Sequence, residues 1–200
     1  MTPALIYVIA LAASYLIGSI PFGFLAVHIK EGKDIRGVGS GNIGATNVRR
    51  ILGRKWSYFV LFLDMLKGFL PVCVTGLLLT GRPECHAAQV FAGIGAFCGH
   101  NWTIFLRFKG GKGVATGTGI FLCLAPAAVG VCLAVFALLR FTTRTISAGS
   151  LAASAVLPLM VWLRGKPPVF VGFAGVVFVL IWLRHLKNIK RLLTGTENKV

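Results

Sequence analysis

Acidic side chains are nearly absent: the 200-residue chain carries five Asp and Glu against 21 Lys and Arg, a net charge of +16. Only 13% of its residues are charged while 56% are apolar, which excludes a soluble domain with a solvated, charged coat. Cysteine is sparse as well. Cys73, Cys85, Cys98, Cys123 and Cys132 show no paired spacing, so no disulfide framework, zinc site or other metal is expected. A basic chain commonly meets nucleic acid, but one made of apolar runs keeps its cations in loops facing anionic lipid or phosphorylated small molecules. No nucleic-acid partner is expected. No basic segment precedes the first apolar run; the positive charge follows residue 29, the wrong order for a cleaved signal peptide. That run reads as a retained helix starting outside.

Long apolar runs are plentiful, and a spanning helix needs about 20 such residues. Residues 4–29, 56–80, 87–106, 148–163 and 168–186 each read as one crossing. Residues 114–141 are too long for one span and carry Ala125-Pro126 near the middle. Charge decides how they fold. Lys30, Lys33, Arg36, Arg49, Arg50, Arg54 and Lys55 place the first long loop in the cytoplasm by the positive-inside bias. A turn at Pro126 then keeps Arg107, Lys109, Lys112, Arg140, Arg144 and the basic tail on that side, and leaves Arg82, Arg164 and Lys166 outside. The expectation is a single all-α membrane domain over residues 1–200. It has seven crossings, a periplasmic amino terminus, a cytoplasmic carboxyl terminus and one short helix hairpin around Pro126.

Four loops on the inside carry the polar chemistry. The first reads GVGSGNIGATNVRR, residues 37–50, where glycines let backbone N–H groups converge on an anion while Ser40, Asn42, Thr46, Asn47, Arg49 and Arg50 add donors. The second, RFKGGKG (Arg107 to Gly113), sits at a helix start and suits phosphate. It is not a nucleoside-triphosphate loop, which needs Ser or Thr after the lysine, where Gly113 stands. The third, RTISAGS, spaces Arg144, Ser147 and Ser150 by three, a pattern that helix capping also explains. The tail, RHLKNIKRLLTGTENK, repeats His185, Asn188 and Arg191 at the same interval; snorkelling accounts for its Lys and Arg but not for His185, Asn188 or Glu197. Within the apolar segments, Asp64 and Lys67 stand at i, i+3 as an expected ion pair, and His100 and Asn101 close the third crossing as capping, packing or ligand residues.

The strings GSGNIGATNVRR, FKGGKGVAT, RTISAGS and RHLKNIKRLLTGTENK, taken in order over nearly the whole chain, resemble the signature blocks of the bacterial acyl-phosphate:glycerol-3-phosphate acyltransferases. That family has a seven-helix architecture, and the hydropathy pattern agrees with it. The resemblance implies a multipass protein of the bacterial inner membrane with its site facing the cytoplasm. It implies transfer of a fatty acyl group from acyl phosphate to the 1-hydroxyl of glycerol 3-phosphate, giving lysophosphatidic acid and phosphate without a cofactor. Ser40, Arg50, Lys112, Ser150, His185 and Asn188 would then be the catalytic set. Gly41, Asn42, Gly44, Thr46, Asn47, Lys109, Gly110, Gly111, Gly113, Arg144, Ser147 and Glu197 would form the phosphate-binding set. The His-x4-Asp arrangement of the soluble-type acyltransferases is missing, since none of His28, His86, His100 or His185 has Asp five positions later. A transporter of organic phosphates would gather polar groups at the bilayer midplane, where only Asp64 and Lys67 come close.

Overall fold

The computed structural model describes residues 1–199, and its regular structure is helical throughout those residues. The chain packs as two compact units, Met1–Ile120 and Phe121–Val200.

The first unit opens with α1 (Pro3–Ser19) and α2 (Phe22–Glu31), which break at Ile20-Pro21 because proline cannot donate into the helical ladder. After a 3-10 turn at Ile35–Gly37 comes α3 (Ala45–Leu78), a 34-residue rod interrupted at Gly53, whose φ of 83° lies in the left-handed region. A Cβ there would meet nothing within 4 Å, so the backbone angle alone calls for glycine. Next are α4 (Cys85–Asn101), a 3-10 turn at Ile104–Leu106, and α5 (Val114–Leu124). The α1–α4 contact is made backbone to backbone. A Cβ on Gly18 would overlap the main chain of Ala96, one on Gly95 the Leu11 carbonyl, and one on Gly99 the Tyr15 carbonyl. Lipid tails offer no hydrophobic incentive for two apolar helices to meet, so small residues that permit such close approach supply the attraction through van der Waals packing. The start of α5 meets α3 in the same way, Gly68 facing the Thr116 carbonyl and Gly119 that of Met65.

The second unit holds α6 (Pro126–Thr143), α7 (Ile146–Leu163), α8 (Pro168–Arg184) and α9 (Leu186–Leu193). The break expected at Pro126 is present, with Pro126 as the first residue of α6, where its missing N–H is not needed. The α6–α7 connection turns through Arg144, at φ 57°. Between α8 and α9 the chain bends by 62° at His185. The Trp182 indole donates to the Leu151 carbonyl at 3.3 Å, tying α8 to α7.

Four helical stretches are long and apolar enough to cross a membrane: Pro3–Glu31, Ala45–Leu78, Pro126–Thr143 and Ile146–Leu163. The bent α8–α9 pair adds a fifth if counted as one span. The other two expected crossings fall on shorter helices, α4 with 17 residues and α5 with 11. At 1.5 Å per residue, α5 reaches about 16 Å, roughly half a hydrocarbon core.

Candidate functional site

In the first unit, the loop between α2 and α3 rests on a small apolar core of Ala26, Val27, Ile35, Ile43, Val48, Val60 and Leu106. Asn47 organises it. Its amide is 1% exposed, its Oδ1 accepts the Ser40 N–H at 3.0 Å, and its Nδ2 donates to the carbonyls of Val38 at 2.9 Å and Ile35 at 3.3 Å. Asn42 Oδ1 accepts the Gly44 N–H at 2.8 Å, just ahead of α3, and the Gly41 N–H bonds to the Val38 carbonyl at 3.1 Å. Gly39 and Gly41 sit at φ 61° and 68°, the left-handed turns that let the loop wrap this amide. The converging N–H groups expected from the glycines are thus engaged within the loop at Ser40, Gly41 and Gly44. What the loop presents outward are side chains: Ser40 and Arg50 are exposed, and Thr46 and Arg49 half-buried. An Asn47→Ala protein loses three buried hydrogen bonds and should be about 2 kcal/mol less stable, read as a lower melting temperature in detergent.

Arg36, which sequence reasoning assigned only a topological charge, joins the first two loops. It pairs with Asp34 at 2.6 Å, lies over the Phe24 ring at 5.6 Å, and donates to the Leu106 carbonyl at 3.3 Å. The charge-assisted bond from Arg36 outweighs a small burial effect and holds the Asp34 carboxyl below the ordinary carboxylate value.

The RFKGGKG loop folds back on the end of α4. The N–H of Gly110 donates to the Asn101 carbonyl at 3.2 Å and that of Gly111 to the His100 carbonyl at 2.9 Å. A Cβ on Gly111 would overlap the His100 ring, and one on Gly113 the Phe97 ring. Arg107 and Phe108 both occupy the left-handed region, at φ 53° and 60°, which costs about 1 kcal/mol or more per non-glycine residue. The Phe108 N–H offsets this by bonding the Thr103 carbonyl at 2.9 Å, while Thr103 Oγ1 donates to the buried Ser19 carbonyl at 2.6 Å. Lys112 emerges half-buried from this pinned backbone, and Lys109 is exposed.

The third loop and the tail meet in the second unit. Glu197 is their hub: its Oε1 accepts from Ser147 Oγ at 3.0 Å and Asn188 Nδ2 at 2.7 Å, and its Oε2 from Arg191 Nε at 2.7 Å. Burial pushes the Glu197 carboxyl upward, but the bonds from Arg191, Asn188 and Ser147 prevail and hold it below its ordinary value of 4.5. The sign follows. A depressed folded value makes the tail contact fully stabilising above pH 4.5, with loss as pH falls through the lower folded value. Melting of the native protein and of Glu197→Gln in detergent should therefore differ at neutral pH and converge under acid.

Ser150 Oγ bonds the Ile146 carbonyl at 3.0 Å, a back-bond within α7, and Arg144 is exposed at the turn before it. His185 is 3% exposed, and its Nδ1 lies 2.8 Å from the Ile181 carbonyl. A carbonyl can only accept, so Nδ1 carries a proton and donates there. Arg36 thus ties loop one to loop two in the first unit, and in the second Ser147, Asn188 and Glu197 of the expected residues meet, while Ser150 and His185 bond carbonyls of their own helices.

Comparison with known proteins matches the chain almost from end to end. The family model described as "Glycerol-3-phosphate acyltransferase" matches residues 8–195. The glycerol-3-phosphate acyltransferase of Desulfotalea psychrophila is 48% identical over 184 residues, 92% of this chain and 93% of its own. That of Trichlorobacter lovleyi is 46% identical over 199 residues, covering 100% and 98%. Among solved structures, the chain is similar to PlsY (YgiH), an integral membrane glycerol 3-phosphate acyltransferase, in its glycerol 3-phosphate form. The TM-score is 0.91 at 37% identity, over 97% of this chain and 95% of that one. The lysophosphatidic acid form of PlsY gives a TM-score of 0.86 at 35% identity, covering 98% and 94%. With the match running almost from end to end, the chain belongs to the glycerol-3-phosphate acyltransferase family.

Proposed function

We propose that this chain moves a fatty acyl group from acyl phosphate to the 1-hydroxyl of glycerol 3-phosphate, releasing lysophosphatidic acid and inorganic phosphate. The observation that carries the reading is the near-complete fold match to a protein solved both with glycerol 3-phosphate and with lysophosphatidic acid, an acceptor and its monoacylated product. The reaction takes place at the cytoplasmic face of the bacterial inner membrane, in a seven-crossing domain whose amino terminus is periplasmic.

The acceptor hydroxyl oxygen attacks the acyl carbonyl carbon, and the carbon–oxygen bond to phosphate breaks. The hydroxyl proton passes to an oxygen of the departing phosphate. An acyl phosphate is a mixed anhydride and already activated, so positioning contributes more than a strong base. Scarcity of carboxylates supports that assignment: Glu197 is turned toward Ser147, Asn188 and Arg191. A carboxylate would repel a phosphate dianion, so its role is to hold those three donors in place. Ser40, Thr46 and Arg50 from the first loop, with Lys109 and Lys112 from the second, supply donors and cations for phosphate oxygens. Asn42, Gly41, Gly44, Asn47, Gly110, Gly111 and Gly113 give the loops their shape. In the second unit, Arg144, Ser147, Ser150 and Asn188 add donors, and His185 orients the reacting groups. Lys112 stabilises the oxyanion that develops on the attacked carbonyl.

Purified protein in detergent, supplied with acyl phosphate and radiolabelled glycerol 3-phosphate, should form labelled lysophosphatidic acid without vesicles or cofactor. Product formed only from acyl-CoA would overturn the choice of donor. No product from any donor would overturn the enzymatic reading.

A further inference from the structure

The buried pair Asp64 and Lys67 is absorbed by none of the roles above. Both lie in α3, 2% and 3% exposed, with Lys67 Nζ 2.8 Å from Asp64 Oδ1. An ion pair between residues one turn apart on a single helix fixes no tertiary geometry, and two desolvated charges in an apolar bundle are costly. Their effect has to come from what each reaches outside α3. Lys67 Nζ also donates to the Ile20 carbonyl at 2.8 Å, the acceptor exposed where Pro21 breaks α1 from α2, and lies 5.5 Å over the Phe22 ring. Asp64 Oδ1 also stands 3.7 Å from Nδ1 of His100, itself 4% exposed at the end of α4. The His100 ring abuts Gly111, and its carbonyl accepts the Gly111 N–H. A continuous chain of polar contacts thus runs from the α1 break through Lys67, Asp64 and His100 to Gly111, the residue before Lys112.

We propose that Asp64 is a positioning residue for the RFKGGKG loop, acting through His100, with Lys67 anchoring the carboxylate to the α1–α2 break. The negative oxygen beside Nδ1 favours the proton on that nitrogen and sets the ring's orientation. The ring in turn presents a fixed surface to Gly111, where no other residue type has room. Loop position, and with it the Lys112 ammonium, is therefore set from within the helix bundle rather than by the loop's own bonds alone. The catalytic consequence rests on the acyl-transfer reading given above; the structural one does not.

The test uses Asp64→Asn and His100→Gln, singly and together, in the full-length protein in detergent. Trypsin cleavage after Lys109 and Lys112 reports loop opening, with cleavage after the exposed Arg164, which Gly165 follows, as the internal reference. Each single substitution should speed loop cleavage about 10-fold at an unchanged reference rate, and the double should be no faster than the worse single. With acyl phosphate and glycerol 3-phosphate, kcat/KM should fall about 100-fold in each single, again without further loss in the double. Should Asp64→Asn fail to fold with Lys67 left uncompensated, His100→Gln, which keeps the ion pair, carries the test. Wild-type loop cleavage in folded His100→Gln, or effects that multiply in the double, would overturn the proposal. Loop-selective cleavage together with no product from the unmodified protein would sustain the network and remove the acyl-transfer reading instead.

Discussion

Lys112→Met should lower kcat/KM by roughly 10³-fold and leave the helical content and melting temperature of the protein where they were. The size of the effect follows from how the lysine is delivered. The backbone before it is fixed to α4 carbonyls through Gly110 and Gly111, and the residue after it packs on the Phe97 ring. The ammonium therefore projects from a fixed backbone, and under the proposed mechanism little reorganisation would accompany the development of negative charge on the attacked carbonyl. Removing one preorganised donor of this kind costs on the order of 10²–10³ in rate, and loss of a full charge belongs at the upper end. Arginine should recover less than about tenfold, because a planar fork on a longer stem cannot place a point charge at the same spot. Steady-state kinetics with both substrates checks this. A Lys112→Met enzyme within threefold of the native rate would remove the residue from the mechanism.

The largest stability effect is expected at Gly99→Leu. There the new side chain meets the carbonyl of Tyr15 and the amide of Ser19, main-chain atoms with no rotamer to yield, so α1 and α4 must separate. Overpacking in a rigid interior costs about 3 kcal/mol when backbone has to move, equivalent to a Tm drop of about 10 °C. Gly172→Leu in α8, where no atom lies within 4 Å, is the matched control and should leave the Tm unchanged. Thermal unfolding monitored by a buried thiol probe in detergent distinguishes the two. Equal melting of both variants would show that the α1–α4 contact does not limit stability.

Residue pattern alone located the apolar segments, the break at Pro126 and all four polar loops, because apolar runs and Gly/Pro punctuation are local properties. The interruption at Gly53 escaped notice, since one glycine among helix formers carries no distinctive local signal. For the site, the sequence named the residues but not the direction of their bonds. A glycine-rich stretch looks the same whether its N–H groups point at a ligand or at Asn47, His100 and Asn101. Only the folded chain separates these cases. The bond from Arg36 to the Leu106 carbonyl was not legible for a related reason: its partner lies 70 residues away. The i, i+3 spacing of Asp64 and Lys67 made their pairing legible, whereas their link to His100 needed a second helix.

The left-handed residue at position 53 divides α3 into a short head bearing Thr46, Arg49 and Arg50 and a long shaft that runs through the apolar layer. A shaft accommodates a thicker or thinner bilayer by leaning. With a kink between them, lean of the shaft need not be copied by the head, so the groups proposed to hold anions would keep their bearing when the surrounding lipid changes composition. An enzyme that manufactures the lipid in which it is embedded would in this way stay insulated from its own output.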